Sequence, residues 1–199
     1  MPYQVLTRNQ HFQNPGPKRI LALDGGGIRG IVTLGYLQRI EDILRARVGG
    51  DPNFRLADYF DLIAGTSTGA IIAAGLARGM LVREIDDMYM RLGKEVFFKS
   101  MWRRGFLRPR YSHKKLTAHL EQVLGKDTTL GDPELKTGLL VMTKRMDTGS
   151  PWPLGNNPNG RYFEASSDRE WASNKDYLLS RVVRASTAAP SILEVNTLR

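Results

Sequence analysis

The 199-residue sequence predicts an α/β domain with three layers, in which a mostly parallel central sheet lies between two layers of helices. Two consecutive units of strand, glycine-rich turn and helix support this prediction, one over residues 19–50 and the other over residues 61–79. Repeated units of this kind are typical of parallel sheets, whose ligand sites form at the carboxyl ends of the strands. The length is that of one domain.

The first unit begins after a segment with little periodicity. Residues 1–18 are expected to form a leader segment, and residues 19–199 the domain itself. The apolar run Arg19–Asp24 predicts a strand, which leads directly into the turn Asp24-Gly-Gly-Gly-Ile-Arg-Gly30. Apolar residues then recur at helical spacing from Ile31 to Val48, which predicts an amphipathic helix.

The second unit contains a serine between two glycines. Leu62–Ala64 predicts a buried strand and Ala70–Ala74 the start of a buried helix, with Gly65-Thr-Ser-Thr-Gly69 between them. A serine that leaves a strand and enters a helix within one residue is held in a strained turn, and flanking glycines avoid clashes with the neighbouring backbone. Ser67 is therefore a candidate nucleophile. The alternative is a serine in an ordinary turn, since G-x-S-x-G also occurs by chance.

The same patterns predict the remaining elements. Apolar spacing favours three further helices, short apolar runs favour two strands, and a stretch with three prolines, three asparagines and three glycines favours a loop. The helices are expected over residues 82–92, 116–124 and 177–185, the strands over 139–142 and 161–163, and the loop over 149–160.

The first glycine turn can stabilise an oxyanion. Successive N–H groups at Gly25, Gly26 and Gly27, opening onto a helix N-terminus, form a positively polarised concavity, and Arg29 adds a positive charge beside it. Removing one good oxyanion donor typically costs about 100- to 1000-fold in rate. The sequence therefore predicts both a nucleophile and a group that stabilises the charge its attack creates.

Dinucleotide binding is a competing interpretation of this turn. Gly25, Gly27 and Gly30 satisfy G-x-G-x-x-G between a strand and a helix. That fingerprint also needs an acid at the end of the next strand. Asp51 lies at about the required distance, but within a Gly-Gly-Asp-Pro break, and the next strand ends at Ser67 without an acid. The fingerprint is therefore weak.

The base that would activate Ser67 is not identified by local patterns. A Ser–Asp–His set could be drawn from Asp86 or Asp87 with His113 or His119, although nothing local favours it. A carboxylate could instead take the serine proton directly. Its ordinary pKa, near 3.9 for aspartate, makes it a weak base that needs close contact and a shaped environment.

Three segments together resemble the patatin-like phospholipases, lipid acyl hydrolases that use a Ser–Asp dyad. Asp24–Gly30 followed about forty residues later by Gly65–Gly69 is similar to the family's two glycine motifs, and Arg184–Pro190 is similar to the segment that precedes its catalytic aspartate. Tyr111-Ser112, with Leu116 and Leu120, resembles the family's middle region. The resemblance covers residues 19–193, nearly the whole chain.

This resemblance implies a patatin-like fold and the roles of individual residues. Ser67 would be the nucleophile, Gly25, Gly26 and Gly27 would form the oxyanion hole, and Arg29 would support it. The reaction would be hydrolysis of a phospholipid or another acyl ester through an acyl-enzyme, without a metal or cofactor. The remaining motif glycines are Gly30, Gly65 and Gly69.

The sequence departs from the family pattern at the catalytic aspartate. The family places it in Asp-Gly-Gly or Asp-Gly-Ala after the Ala-Ala-Pro segment, but only nine residues follow Pro190 and none is Asp. We therefore expect a catalytic domain truncated at its C-terminus, with the base beyond Arg199. The alternatives are a diverged member that uses another carboxylate, or a catalytically silent lipid- or nucleotide-binding module. The aspartates without such a context are Asp132, Asp147, Asp168 and Asp176.

The net charge of +9 indicates an anionic partner or surface. Basic and aromatic residues alternate over residues 94–115, which could face an anionic membrane; alternatively, the aromatic rings belong to the core and the charges are merely solvated. Nucleic acid is the least favoured partner because no binding motif accompanies the charge. With no cysteine, no signal peptide and no membrane-spanning run, the sequence predicts a cytoplasmic protein that can associate peripherally with membranes.

Overall fold

The computed structural model describes residues 4–93, 113–165 and 173–188, with the backbone alone at 113–115. Ten helices and strands lie in these ranges, together with short 3-10 turns at Gly27–Arg29, Leu56–Asp58 and Asn174–Asp176. In chain order the elements are α1 (Arg8–Gln13), β1 (Ile20–Leu23), α2 (Gly30–Arg47), β2 (Leu62–Thr66), α3 (Thr68–Ala77), α4 (Val82–Leu92), α5 (His113–Leu124), β3 (Gly138–Lys144), β4 (Pro151–Gly155) and α6 (Leu179–Ser186).

The four strands form one sheet in the order β1-β2-β3-β4. The first three strands are parallel, and β4 pairs antiparallel with β3. Leu23 of β1 is in register with Gly65 of β2, and Gly65 is in register with Val141 of β3. The predicted α/β fold with a mostly parallel sheet and helices on both sides is confirmed. The turns that follow β1 and β2 consequently lie side by side at one edge.

One face of the sheet carries the main hydrophobic core. All ten residues of α3 are buried, and this helix packs across the three parallel strands. It is apolar on every side because the sheet lies beneath it and other helices flank it, which is the pattern expected of a fully enclosed helix. Helix α4 buries one stripe instead, formed by Val82, Ile85, Met88, Tyr89 and Leu92.

Helix α1 packs against the other face, within the segment that the sequence predicts to be a leader. The side chain of Thr7 caps the helix, and Arg8 donates hydrogen bonds to three consecutive carbonyls at residues 130–132. His11 is buried, with Nδ1 2.9 Å from Oδ1 of Asp61. The ring of Phe12 fills the space that a side chain at position 138 would need. These contacts attach residues 8–13 to the sheet.

Strand β1 is an edge of the described sheet, and apolar side chains are exposed around it. Ile20 is 60% exposed, and among the described residues β1 pairs only with β2. Large apolar side chains on the next turn and on the outer side of α2 are exposed as well. With Ile20, these exposed side chains are Ile28, Ile31, Val32, Tyr36 and Ile43.

Two predictions for the last third of the chain are wrong. The expected loop at 149–160 contains strand β4, and the expected strand at 161–163 is a turn. Pro151 and Pro153 are tolerated because they occupy alternate positions of an edge strand, where a missing N–H costs no ladder hydrogen bond. The other predicted helices and strands are confirmed to within a few residues. The basic-aromatic segment 94–115 lies outside the described residues, apart from the backbone of 113–115.

Candidate active site

Ser67 occupies the single residue between β2 and α3. Its backbone has φ 54° and ψ −122°, and it is the only residue other than glycine with a positive φ in the described part of the chain. Such a conformation costs about 1–3 kcal/mol and persists only where the surroundings impose it. The Ser67 side chain does not cap α3 and is partly exposed. The predicted strand–turn–helix context of this serine is therefore present.

The two glycines that flank this serine are required by close backbone contacts. A Cβ at position 65 would lie 2.6 Å from the backbone nitrogen of Ala70, at the start of the next helix. A Cβ at position 69 would lie 2.7 Å from the carbonyl oxygen of Asp24. Gly65 and Gly69 thus let β2, α3 and the end of β1 approach one another, which accounts for the G-x-S-x-G spacing.

The first glycine turn lies against Ser67. A Cβ at Gly25 would be 2.8 Å from Cβ of Ser67, so these two residues are in contact. Gly27 has a φ of 55°, which glycine adopts without strain, and it begins the short 3-10 turn that leads into α2. Two motifs separated by about forty residues meet here because β1 and β2 are parallel neighbours.

Hydrogen bonds fix this turn from inside the domain. Gly26 N–H donates to Oγ1 of Thr68 at 3.1 Å, and the Tyr89 hydroxyl donates to the carbonyl of Gly27. Within residues 4–93, 113–165 and 173–188, the N–H of Gly27 has no acceptor. The side chain of Arg29 is exposed at the end of the turn. The Gly26 N–H is therefore already used within the protein.

Ser186 is a site residue that sequence reasoning did not single out. Its hydroxyl accepts a hydrogen bond from the backbone N–H of Ser67 at 2.8 Å and donates to the carbonyl of Met142 at 2.6 Å. The segment Arg184–Pro190, described as far as residue 188, thus reaches the turn at Ser67. No sequence pattern predicts that a serine in the last turn of a helix will form hydrogen bonds with Ser67 and Met142.

No base reaches Ser67 in the part of the chain that the structure describes. None of the described carboxylates or imidazoles is hydrogen-bonded to its Oγ. Asp61, which binds His11, precedes β2 and therefore lies at the opposite end of this strand from Ser67. Asp132 accepts a hydrogen bond from the N–H of Glu134, and Asp147 forms an exposed ion pair with Arg145.

The remaining carboxylates and histidines that sequence reasoning considered lie on other elements. Asp86 and Asp87 are on α4, His113 and His119 are on α5, Asp176 is in a 3-10 turn, and Asp168 is outside the described residues.

The G-x-G-x-x-G turn lacks the acid that dinucleotide binding requires. Asp51 follows α2 in a turn, where its carboxylate accepts a hydrogen bond from the N–H of Asn53. Strand β2 ends at Thr66, followed by Ser67. Gly30, the last glycine of the fingerprint, is needed for a different reason, because a side chain there would collide with the ring of Tyr89. The turn therefore packs against the turn that carries Ser67.

Comparison with known proteins agrees with this arrangement. The family model of the patatin-like phospholipases matches residues 21–199. A cGAMP-activated phospholipase of Vibrio cholerae is 32% identical over 192 residues, covering 92% of this chain and 50% of the relative. A second cGAMP-activated phospholipase, from Escherichia coli, is 31% identical over 178 residues, covering 87% of this chain and 46% of the relative. The chain thus spans about half the length of these relatives.

A solved structure supports the fold independently. The crystal structure of VipD from Legionella pneumophila superposes with a TM-score of 0.51 at 16% identity, covering 90% of this chain and 44% of VipD. At that identity the similarity concerns the fold alone. With the family model matching nearly the whole chain, the chain belongs to the patatin-like phospholipase family.

Proposed function

We propose that this chain is the catalytic domain of a serine lipid acyl hydrolase whose nucleophile is Ser67. The observation that carries the proposal is the backbone of Ser67, strained at φ 54° between β2 and α3, with a hydroxyl that is not spent on capping its own helix. Membership of a family of phospholipases, and relatives named as phospholipases, support lipid ester hydrolysis as the reaction class.

The proposed reaction proceeds in two steps. Oγ of Ser67 attacks the carbonyl carbon of the ester while its proton passes to a base, and the carbonyl oxygen becomes an oxyanion. Collapse of this intermediate breaks the bond to the alcohol, which leaves with a proton, and water then hydrolyses the acyl-serine. The turn Gly25–Gly27 would stabilise the oxyanion with its outward N–H groups, and Arg29 would add positive charge. The engaged N–H of Gly26 would instead hold the turn in place.

A fluorophosphonate probe tests the nucleophile. We expect the probe to label the wild-type chain, and Ser67→Ala to abolish labelling together with any hydrolysis of a short acyl ester. Ser150→Ala is the matched control, because Ser150 is an exposed serine between β3 and β4. Labelling that persists in the Ser67→Ala variant would contradict the assignment.

The same assay tests whether a base that activates Ser67 lies within these 199 residues. If the activating carboxylate is not among these 199 residues, turnover by this exact chain will be very slow. Robust turnover that Ser67→Ala abolishes would instead show that a base within the chain activates the serine. No described carboxylate is hydrogen-bonded to Ser67, which favours slow turnover.

A catalytically silent binding module is the second candidate function, because no base contacts Ser67 in the described residues. Two relatives are named as cGAMP-activated, so a cyclic dinucleotide is the first ligand to test. Thermal stabilisation by cGAMP without labelling at Ser67 would favour the module. Labelling that increases in the presence of cGAMP would favour a nucleotide-regulated hydrolase.

Membrane association is proposed for the basic-aromatic segment 94–115. In the described ranges no helix has the length and hydropathy needed to cross a bilayer. Vesicle co-sedimentation is expected to recover the chain with anionic phospholipid at low salt and to lose it at high salt, since exposed charges are screened. Equal recovery with neutral vesicles, or none with anionic vesicles, would contradict the proposal.

A further inference from the structure

We propose that Tyr89 is a positioning residue that holds the oxyanion-binding turn in its working orientation from helix α4. This inference rests on the proposed function, because it concerns the turn that would stabilise the oxyanion beside Ser67. Tyr89 lies outside the segments of this sequence that resemble the family's motifs.

Tyr89 is placed beneath the turn by the packing of α4. It is 1% exposed and belongs to the stripe through which α4 packs into the core. Its ring also explains the last motif glycine, because a Cβ at Gly30 would lie 2.7 Å from Cζ of Tyr89. The ring could not occupy this position if residue 30 carried a side chain. The glycine and the tyrosine therefore form one packing unit across α2 and α4.

Hydrogen bonds hold both ends of the Gly26–Gly27 unit. The Tyr89 hydroxyl donates to the carbonyl of Gly27, and Gly26 N–H donates to Oγ1 of Thr68. Burial acts to raise the pKa of Tyr89, and the nearby Thr68 side chain and the backbone of Gly30 partly offset this effect. Thr68 directly follows Ser67, so the bond from Gly26 connects the glycine turn to the turn that carries Ser67.

The hydrogen bond to the Gly27 carbonyl orients the N–H groups of the turn that remain available as oxyanion donors. In a trans peptide the C=O and N–H groups point in opposite directions, so the Tyr89 bond to the Gly27 carbonyl aims the N–H of Ile28 away from α4. The side chain of Ile28 is 41% exposed. Gly27 sits at φ 55° with no side chain to restrict it, so an unheld turn would be free to rotate. Oxyanion donors are effective only when they are oriented before the reaction.

The experiment compares two variants that each remove one buried hydroxyl. Tyr89→Phe keeps the ring against Gly30 and removes the hydroxyl that donates to the Gly27 carbonyl, which keeps its bond from the N–H of Gly30. Tyr177→Phe is the control, because Tyr177 is also buried and no hydrogen bond of its hydroxyl occurs in the described residues. We expect Tyr89→Phe to lower kcat and the rate of fluorophosphonate labelling about tenfold or more, with KM within about twofold, and Tyr177→Phe to leave both rates unchanged.

Amide hydrogen exchange provides a readout of the turn itself. Exchange at Gly26, whose N–H is hydrogen-bonded to Thr68, should accelerate in Tyr89→Phe and remain at the wild-type rate in Tyr177→Phe. If the wild type is labelled and the two variants behave alike in labelling, the inference is overturned and the proposed function stands. Faster exchange without slower labelling also overturns the positioning role. A wild-type chain that is neither labelled nor active overturns the proposed function, and the inference with it.

Discussion

Ser67, Gly65 and Gly69 are the residues at which local geometry is most constrained. The serine holds a left-handed backbone conformation, and both glycines lie where a Cβ would press on backbone atoms that cannot move aside. The backbone N–H of Ser67 donates a hydrogen bond to the hydroxyl of Ser186. Strain at Ser67 is thus balanced by contacts from three elements, and each contact depends on a small residue.

Replacing one of these glycines should disturb both stability and the proposed nucleophile. We expect Gly65→Ala to destabilise the fold by about 1–3 kcal/mol, as overpacking typically does, and to slow fluorophosphonate labelling at Ser67. Gly35→Ala is the control, because Gly35 lies in α2 with nothing within 4 Å of an added Cβ, and it should stabilise by about 0.5–1 kcal/mol. Chemical denaturation measures both changes. Equal effects of the two substitutions would contradict the close contact at Gly65.

At this scale the sequence predicts the residues whose chemistry or spacing forms a pattern. Ser67 and its glycines are predicted because a strained turn demands them, and their placement between β2 and α3 is confirmed. Tyr89 and Ser186 could not be predicted, because their hydrogen bonds join residues 62 and 119 positions apart. A buried tyrosine on an amphipathic helix resembles any other core residue until the fold places it beneath the turn.

Among the elements, α1 is attached at the amino end of β2 by a pair in which His11 is buried and Asp61 is 13% exposed. Asp61 accepts hydrogen bonds from the backbone N–H of Arg19 and from Nδ1 of His11. Burial acts to raise the pKa of Asp61, but these two donors outweigh it and hold the pKa below its ordinary value. One carboxylate thus joins the entry into β1, the entry into β2 and helix α1.

This pair predicts a dependence of stability on pH. Because the pKa of Asp61 is lowered in the folded state, its contribution is complete above its ordinary pKa and is lost as the pH falls below about 4. Asp61→Asn should lower the free energy of unfolding at neutral pH by about 1.5–3 kcal/mol, the range for hydrogen bonds to charged groups. It should also reduce the fall in melting temperature between neutral and acid pH. Thermal melting at pH 3, 5 and 7 measures this.

The control for this prediction is an aspartate whose pKa is also lowered but which is fully exposed. The ion pair with Arg145 lowers the pKa of Asp147 in the turn between β3 and β4. Solvent screens such a pair, so Asp147→Asn should leave the melting profile nearly unchanged. Similar profiles for Asp61→Asn and Asp147→Asn would contradict the role of Asp61 in attaching α1.

How well each helix or strand is predicted depends on how clear its local sequence pattern is. Helix α4 is predicted to the residue over 82–92, because its apolar residues recur at a clear helical period. Strand β4 is not predicted because its two prolines outweigh a strand pattern, and only its position at the edge of the described sheet makes them tolerable. Helix α1 is not predicted because it is six residues long and its one buried side chain is a histidine.

For the whole molecule, the sequence predicts the arrangement of the parallel strands, from which the site follows. Two strand–turn–helix units in succession imply adjacent parallel strands, and adjacency brings Gly25 against Ser67. The family membership is likewise readable from two motifs and the segment Arg184–Pro190. A base for the proposed reaction at Ser67 is different, because neither a motif in this sequence nor a contact in the described residues identifies one.

Within the ranges that the structure describes, the outer edge of β1 is open, which has a consequence for how the chain behaves at high concentration. An edge strand with unpaired backbone groups and apolar side chains is a template on which a second copy can add its own strand, which leads to aggregation. We expect Ile20→Lys to raise the concentration at which turbidity appears, because a charge on an edge strand opposes such pairing. The exposed Val5, which lies outside the sheet, provides the control Val5→Lys, which should change turbidity little. Substitution of the exposed residue Ile20 is therefore the first change to make when this domain is prepared at high concentration for crystallisation or assay.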